Sequence, residues 1–258
     1  MQNNFQCNKH GFTLVELAIV ITIIGILIGG VLKGQQLIGS AKVASTITQF
    51  RDYKASYRIF QTMYDALPGD MANAEGRIPD CTGCTANTDY GLGDGNIGPS
   101  TSTGRHQSSK IDDERVFYWL HLYKADLISG ISDAALNGGP QEWGQTHPMA
   151  KLGGGYTMAS IRKGSTNDSY SSWSGNRPPG GDVLMLHARL FRDMNRKTQV
   201  MSTSQAAQID RKIDDGQPDS GDVRAFGYDY CGDDSANPEY NEALPREDMC
   251  GLGYVLGG

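Results

Sequence analysis

Between positions 12 and 32 nearly every residue is apolar or small, and Glu16 is the only charge before Lys33 closes the run. At about 1.5 Å per residue such a run spans a hydrocarbon core of about 30 Å. It is too long for the apolar core of a cleaved secretory signal, and the residues after Lys33 keep a helical pattern without a break. Leu37, Ala41, Ala44, Ile47, Phe50, Tyr53, Tyr57, Phe60 and Tyr64 recur at steps of three and four, which draws one stripe along one face. Leu67-Pro68-Gly69-Asp70 supplies the stop, because proline excludes the preceding residue from helix and glycine turns the chain. The pattern predicts one continuous helix over about 12–66, roughly 80 Å long. Its first half must find lipid or other copies of itself, and its second half has a face for its own domain.

Beyond residue 67 the pattern breaks. Residues 68–108 show almost no periodicity and read as a long loop region; loops of that length are functional or are pinned by cross-links or metal. A second amphipathic helix is predicted over 111–129, with Asp112, Asp113 and Glu114 in its first turn, Gly130 after its end, and Val116, Trp119, Leu120, Tyr123 and Leu127 facing the core. Strands are predicted over 156–161, 183–190, 223–230 and 253–256. A short helix over 205–214 turns Ala206, Ile209 and Ile213 inward and stops at Gly216. The order implies an α+β fold in which an antiparallel sheet packs on the second half of the long helix, with extended loops.

Composition separates anchor from body. Charged residues make up 20% of the chain and the mean hydropathy is -0.42, so the apolar run is an isolated feature. A net charge of -6 argues against a general nucleic-acid surface, and the cluster Arg189, Arg192, Arg196 and Lys197 reads as a solvated face. No GxSxG, HExxH or P-loop is present, the histidines are scattered, and the glycine cluster at 91–95 has no predicted strand before it. No enzyme is expected from such a chain.

His10-Gly11-Phe12-Thr13-Leu14-Val15-Glu16 resembles the processing site of type IV prepilins and of type II secretion pseudopilins. The resemblance implies a leader over 1–11, cleavage by prepilin peptidase between Gly11 and Phe12, and N-methylation of Phe12. It implies a transmembrane half of the helix over 12–33, a periplasmic half over 34–67 and a globular head over 68–258. The chain would be single-pass in the bacterial inner membrane with its C-terminal domain in the periplasm. Its partners would be other pilin or pseudopilin subunits, prepilin peptidase and the filament assembly platform. An ionised carboxylate in lipid needs a counter-charge, and the amine freed by cleavage, supplied by a neighbouring copy, would make Glu16 an assembly residue. Gly25, Gly29 and Gly30 give the anchor a small-residue face suited to close helix packing.

Five cysteines are present, and the odd one, Cys7, falls in the implied leader. Cys81 and Cys84 form a CxxC without a second metal-type pair, so disulfides are expected in an exported body. The pairing Cys81 with Cys84 and Cys231 with Cys250 is favoured, leaving the two crossed connectivities open; the second pair resembles the loop-closing disulfide near the C-terminus of many pilins. No cofactor is expected, and metal candidates are limited to calcium. Asp89, Asp94 and Asn96 offer oxygen ligands for it, as does the acidic stretch 214–222, but neither has EF-hand spacing. The functional expectation is a structural filament subunit, minor or specialised given the size of the body. The alternatives are a tip module that recognises a surface, exoprotein or DNA through loops bearing Tyr170 and Trp173, and an anchored periplasmic protein that never polymerises.

Overall fold

The computed structural model describes residues 13–86, 91–98, 113–136, 138, 140–161, 180–188, 190, 199–227, 231, 239–243 and 250–257. The helices are α1 (Leu14–Tyr64), α2 (Ala74–Arg77), α3 (Glu114–Lys124) and α4 (Thr203–Ile213), with a 3-10 turn at Asp133–Ala135; the strands are β1 (Gly155–Ile161), β2 (Gly181–His187), β3 (Val223–Phe226) and β4 (Gly251–Gly257). The chain divides into two compact units, Met1–Lys42 and Val43–Gly258. The layout is α+β and pilin-like, with a long N-terminal helix ahead of an antiparallel sheet and loops.

Within the second unit α1 buries Val43, Thr46, Ile47, Phe50, Tyr53, Ser56, Tyr57, Phe60 and Tyr64. Rings do most of the joining. Phe50 meets Tyr156 of β1 and Tyr254 of β4 edge-on at 5.4 and 5.6 Å, and Tyr53 meets Trp119 of α3 at 5.3 Å. Such edge-to-face pairs set the angle between elements as well as burying area. The helix is also clamped by polar groups: the Tyr57 hydroxyl donates to Asp182 of β2, and Arg58 reaches the Leu256 carbonyl at 3.5 Å. Six of the nine expected stripe positions, from Ile47 to Tyr64, are buried, and Val43, Thr46 and Ser56 join them. Ala44 is exposed and Leu37 is 64% exposed, whereas Thr46 is fully buried. The large rings fix which face points inward, and a threonine one step round falls inside it.

The sheet runs in the order β1-β2-β4-β3 with every neighbouring pair antiparallel. Alternation along β2 sends Leu184 and Leu186 to the main core, and Val183 and Met185 to a second cluster with Ile161 and Phe226. Strand β2 starts two residues earlier than expected and ends at His187 rather than residue 190. It accommodates Asp182 at its start because Tyr57 and Ser160 both donate to that carboxylate. Leu190 is still buried, outside the strand, so the apolar run continues after the pairing has stopped. For β3, positions 228–230 lie outside the described residues.

Helix α3 is shorter than the expected 111–129 and is enclosed on nearly all sides. Residues 114–122 are all buried, Glu114, Arg115 and His121 included, which an amphipathic reading does not anticipate. Its start is capped by Asp113, whose side chain accepts from the Arg115 amide. Its end is a Schellman turn: Leu127 N–H donates to the Leu122 carbonyl at 2.9 Å and Asp126 N–H to the Tyr123 carbonyl at 3.0 Å. Asp126 takes the left-handed conformation at φ 58. The expected end lay too far along because it was set by Gly130. Helix α4 begins at Thr203, behind a reciprocal capping box of Ser202 and Gln205.

Candidate functional site

The start of α1 carries the chemistry of the first unit. Thr13 and Glu16 form a reciprocal cap: Thr13 N–H and Oγ1 both donate to Glu16 Oε2 at 2.9 Å, and Glu16 N–H donates to Thr13 Oγ1 at 3.3 Å. This is the T-x-x-E capping box, which satisfies helix donors that have no partner of their own. Both bonds that the carboxylate accepts use Oε2, and among the described residues Oε1 has none. The carboxylate is thus oriented by its own chain and still has an oxygen to offer.

Around it the helix is apolar and open. Leu14 is 87% exposed and Ile26 71%, and the one polar hydroxyl further along, Thr22, donates to the Ala18 carbonyl at 2.8 Å. Nothing lies within 4 Å of a side chain built on Gly25, Gly29 or Gly30, so these positions present flat faces. Among the described residues α1 is the one helix long and apolar enough to cross a membrane. Gly11 and Phe12 lie outside the described residues.

The head contains a second cluster that the sequence did not disclose. Asp70, 3% exposed, accepts the backbone N–H groups of Gly93, Asp94 and Gly95. Glu114 accepts from Gly98 N–H at 2.6 Å. Asp94 Oδ1 takes both Asn96 N–H at 2.8 Å and Asn96 Nδ2 at 3.1 Å. Of the calcium candidates, Asp94 and Asn96 are therefore joined in a turn with Asn96 as donor, while Asp89 lies outside the described residues. Burial raises the Asp70 carboxyl above its ordinary range and pushes Glu114 up to about 8, in each case against the lowering effect of the backbone donors.

Asp210, Asp214 and Asp215 bring carboxylate oxygens within 4.8 Å of one another. All three carboxylates already accept hydrogen bonds: Asp210 from Tyr240 at 2.7 Å and from Gly216 N–H at 3.1 Å, Asp215 from Gln217 N–H and from Ser220. Asp214 accepts from Val223 N–H at 2.9 Å. Burial raises Asp210 to about 7. Cys81 is bonded to Cys84 and Cys231 to Cys250. The first bridge is tied into the core by His121, whose Nδ1 accepts from Gly69 N–H at 2.9 Å while Nε2 lies 2.7 Å from the Cys84 carbonyl. Tyr170, Trp173 and the cluster Arg189, Arg192, Arg196 and Lys197 lie outside the described residues.

An exposed apolar helix with a capped carboxylate at its head, long and apolar enough to cross a membrane and followed by an α+β body, makes a pilin-like layout. Residues 6–32 match the family model of the prokaryotic N-terminal methylation motif, the hallmark of type IV pilin and pseudopilin precursors. The motif implies processing by prepilin peptidase and assembly with other pilin subunits. No curated protein and no solved structure matches the chain. The T-x-x-E spacing is a sequence signal that pairs Thr13 with Glu16; nothing in the sequence marked Asp70 or Glu114.

Proposed function

We propose that this chain is a minor or specialised subunit of a type IV pilus-like or type II secretion pseudopilus filament. In this reading prepilin peptidase removes the leader 1–11, Phe12 is methylated, and the chain waits in the inner membrane with its head in the periplasm until an assembly platform draws it into a filament. The observation that supports it furthest is the geometry of Glu16: a carboxylate at the start of an otherwise uncharged helix half, held through Oε2 by Thr13 and unbonded at Oε1 among the described residues. The Phe12 amine of a neighbouring copy is the counter-charge that such a group needs in lipid. The size of the body behind the helix favours a scarce subunit over the main one.

The test combines mass spectrometry of the mature N-terminus with sheared-filament analysis of wild type and Glu16→Ala. Expected are a methylated Phe12 terminus, wild type present in filaments at low abundance, and a processed variant missing from them. An uncleaved chain, an unmethylated Phe12, or a variant that enters filaments like wild type overturns the assembly account. Wild type dominating the filament mass overturns the minor role alone.

A further inference from the structure

The loop at 91–98 has no regular secondary structure, yet its backbone is closely engaged. From Gly93 to Gly98 six successive N–H groups each donate to a side-chain oxygen: three to Asp70, one to Asp94, one to Ser160 and one to Glu114. All but the Ser160 bond end on a carboxylate oxygen. Backbone donors directed in this way cradle negative charge, and Asp70 sits in such a cradle, while the exposed Asp94 takes one backbone and one side-chain donor from Asn96. Glu114 has no such cradle: it receives a single bond, on Oε2, and its Oε1 is buried with no hydrogen-bond partner among the described residues.

The surroundings of Glu114 are of its own sign. Asp70 from the turn after α1, Asp94 from the loop and Asp113 from the cap of α3 all act on it. On its own helix Arg115 forks onto Asp113, with Nε to Oδ1 and Nη2 to Oδ2 both at 2.8 Å, and no cation bonds Glu114 among the described residues. The charge of Asp113 acts on His147. The elements packed further along α3 bring their ionisable groups to bear elsewhere: Tyr53 and Tyr57 of α1 and Asp182 of β2 act on Tyr118, Tyr156 of β1 meets Tyr53, and Asp133 pairs with Lys124 at the far end. A fully buried carboxylate with one donor and three acidic neighbours is costly, and the usual resolution is that it keeps its proton.

We propose that the 91–98 loop is a proton-operated latch, closed while Glu114 is neutral and released at Gly98 when Glu114 ionises among Asp70, Asp94 and Asp113. Gly98, at φ +102 and packed against the Arg115 side chain, is the end that lets go. Asp70 holds the other end through donors that suit a charged carboxylate, so the loop swings open rather than dissolving. A carboxyl whose closed-state affinity for a proton exceeds that of the open state stabilises closure at low pH and loses that contribution as pH rises.

The test is amide hydrogen exchange of the full chain in detergent, read by mass spectrometry across 91–98 and expressed as protection relative to the intrinsic rate at each pH. In wild type, protection at Gly98 should fall by up to about tenfold per pH unit between about pH 5.5 and 7.5 and level off above about pH 8, and should lie well below that of the β2 amides, which open only with the whole head. Glu114→Gln, which cannot ionise, should give a flat profile. Asp94→Asn removes one repulsive neighbour and should shrink the fall. A flat wild-type profile overturns the latch, as does Glu114→Gln tracking wild type, Asp94→Asn matching wild type, or Gly98 protection equal to that of β2 at every pH, which would mean that the loop opens only with the whole head. If Glu114→Gln does not fold, the wild-type profile and the Asp94→Asn arm still decide the matter.

Discussion

Asp70 shows how much one side chain can organise. Its two oxygens hold three loop amides in a stretch where four glycines, Gly91, Gly93, Gly95 and Gly98, have positive φ and no ladder could form. Asp70→Ala would remove the shared acceptor of three amides in exposed residues, each bond contributing about 0.5–1.5 kcal/mol net, partly offset by access of water to those amides and by removing a carboxylate whose burial is itself unfavourable. A net loss of about 1–2 kcal/mol is expected in denaturant unfolding of the full chain in detergent. A loss under about 0.5 kcal/mol, the size of an ordinary surface change, would show that the loop finds its shape without Asp70. Glu16 is legible in a way Asp70 is not. A lone charge in an apolar run announces itself, whereas Asp70 looks like one more turn acid after Leu67-Pro68-Gly69, and its partners lie more than twenty residues on.

At the scale of elements, the three longer helices and the four strands were readable in existence and type while several ends were not, and the short α2 (Ala74–Arg77) lies where only loop was expected. The three- and four-residue stripe foretold α1, and the capping Ser202 with Gln205 was available as a start signal for α4. The end of α3 escaped because the residue in the left-handed turn is Asp126 rather than a glycine, at φ 58. Asp126 is exposed, so Asp126→Gly removes side-chain strain without removing packing, against a modest entropic cost in the unfolded chain. Expected is a gain of about 0.5–1 kcal/mol, read as a higher denaturant midpoint at unchanged slope; a loss would mean that the aspartate side chain stabilises the turn. The complete enclosure of α3 was illegible for another reason. Its charged first turn is buried by the 91–98 loop, whose placement depends on contacts with Asp70 and Ser160 that no local pattern encodes.

For the whole molecule the sequence separated a long apolar run from a polar body and carried the methylation motif, but it said nothing about how the body responds to its medium. Three buried histidines and a set of buried acids decide that. Burial lowers His121 to about 4, His147 to about 3 and His187 to about 4, so each is neutral in the folded head. Groups of this kind stabilise above the unfolded value and lose the contribution as pH falls from about 6.5 toward 4. His121 has a visible reason to resist a second proton, because its Nδ1 accepts from Gly69 N–H. Glu114, raised to about 8, and Asp210, raised to about 7, act in the opposite sense: their contribution is full at low pH and is lost as pH rises through those values. Above about pH 6.5 the three histidines still add about 0.4 kcal/mol each as their unfolded forms lose the last of their protons, while the two acids lose more. Stability should therefore decline between about pH 6.5 and 8, by about 1 kcal/mol net, and then stay nearly level to about pH 9.5, below the range in which the buried tyrosines titrate. Denaturant midpoints of the full chain in detergent at those three pH values, followed through tryptophan fluorescence, give the measurement. Stability rising from about pH 6.5 to 8 would mean that Glu114 and Asp210 are already ionised in the folded head, and that the buried carboxyls are solvated in a way their burial does not allow.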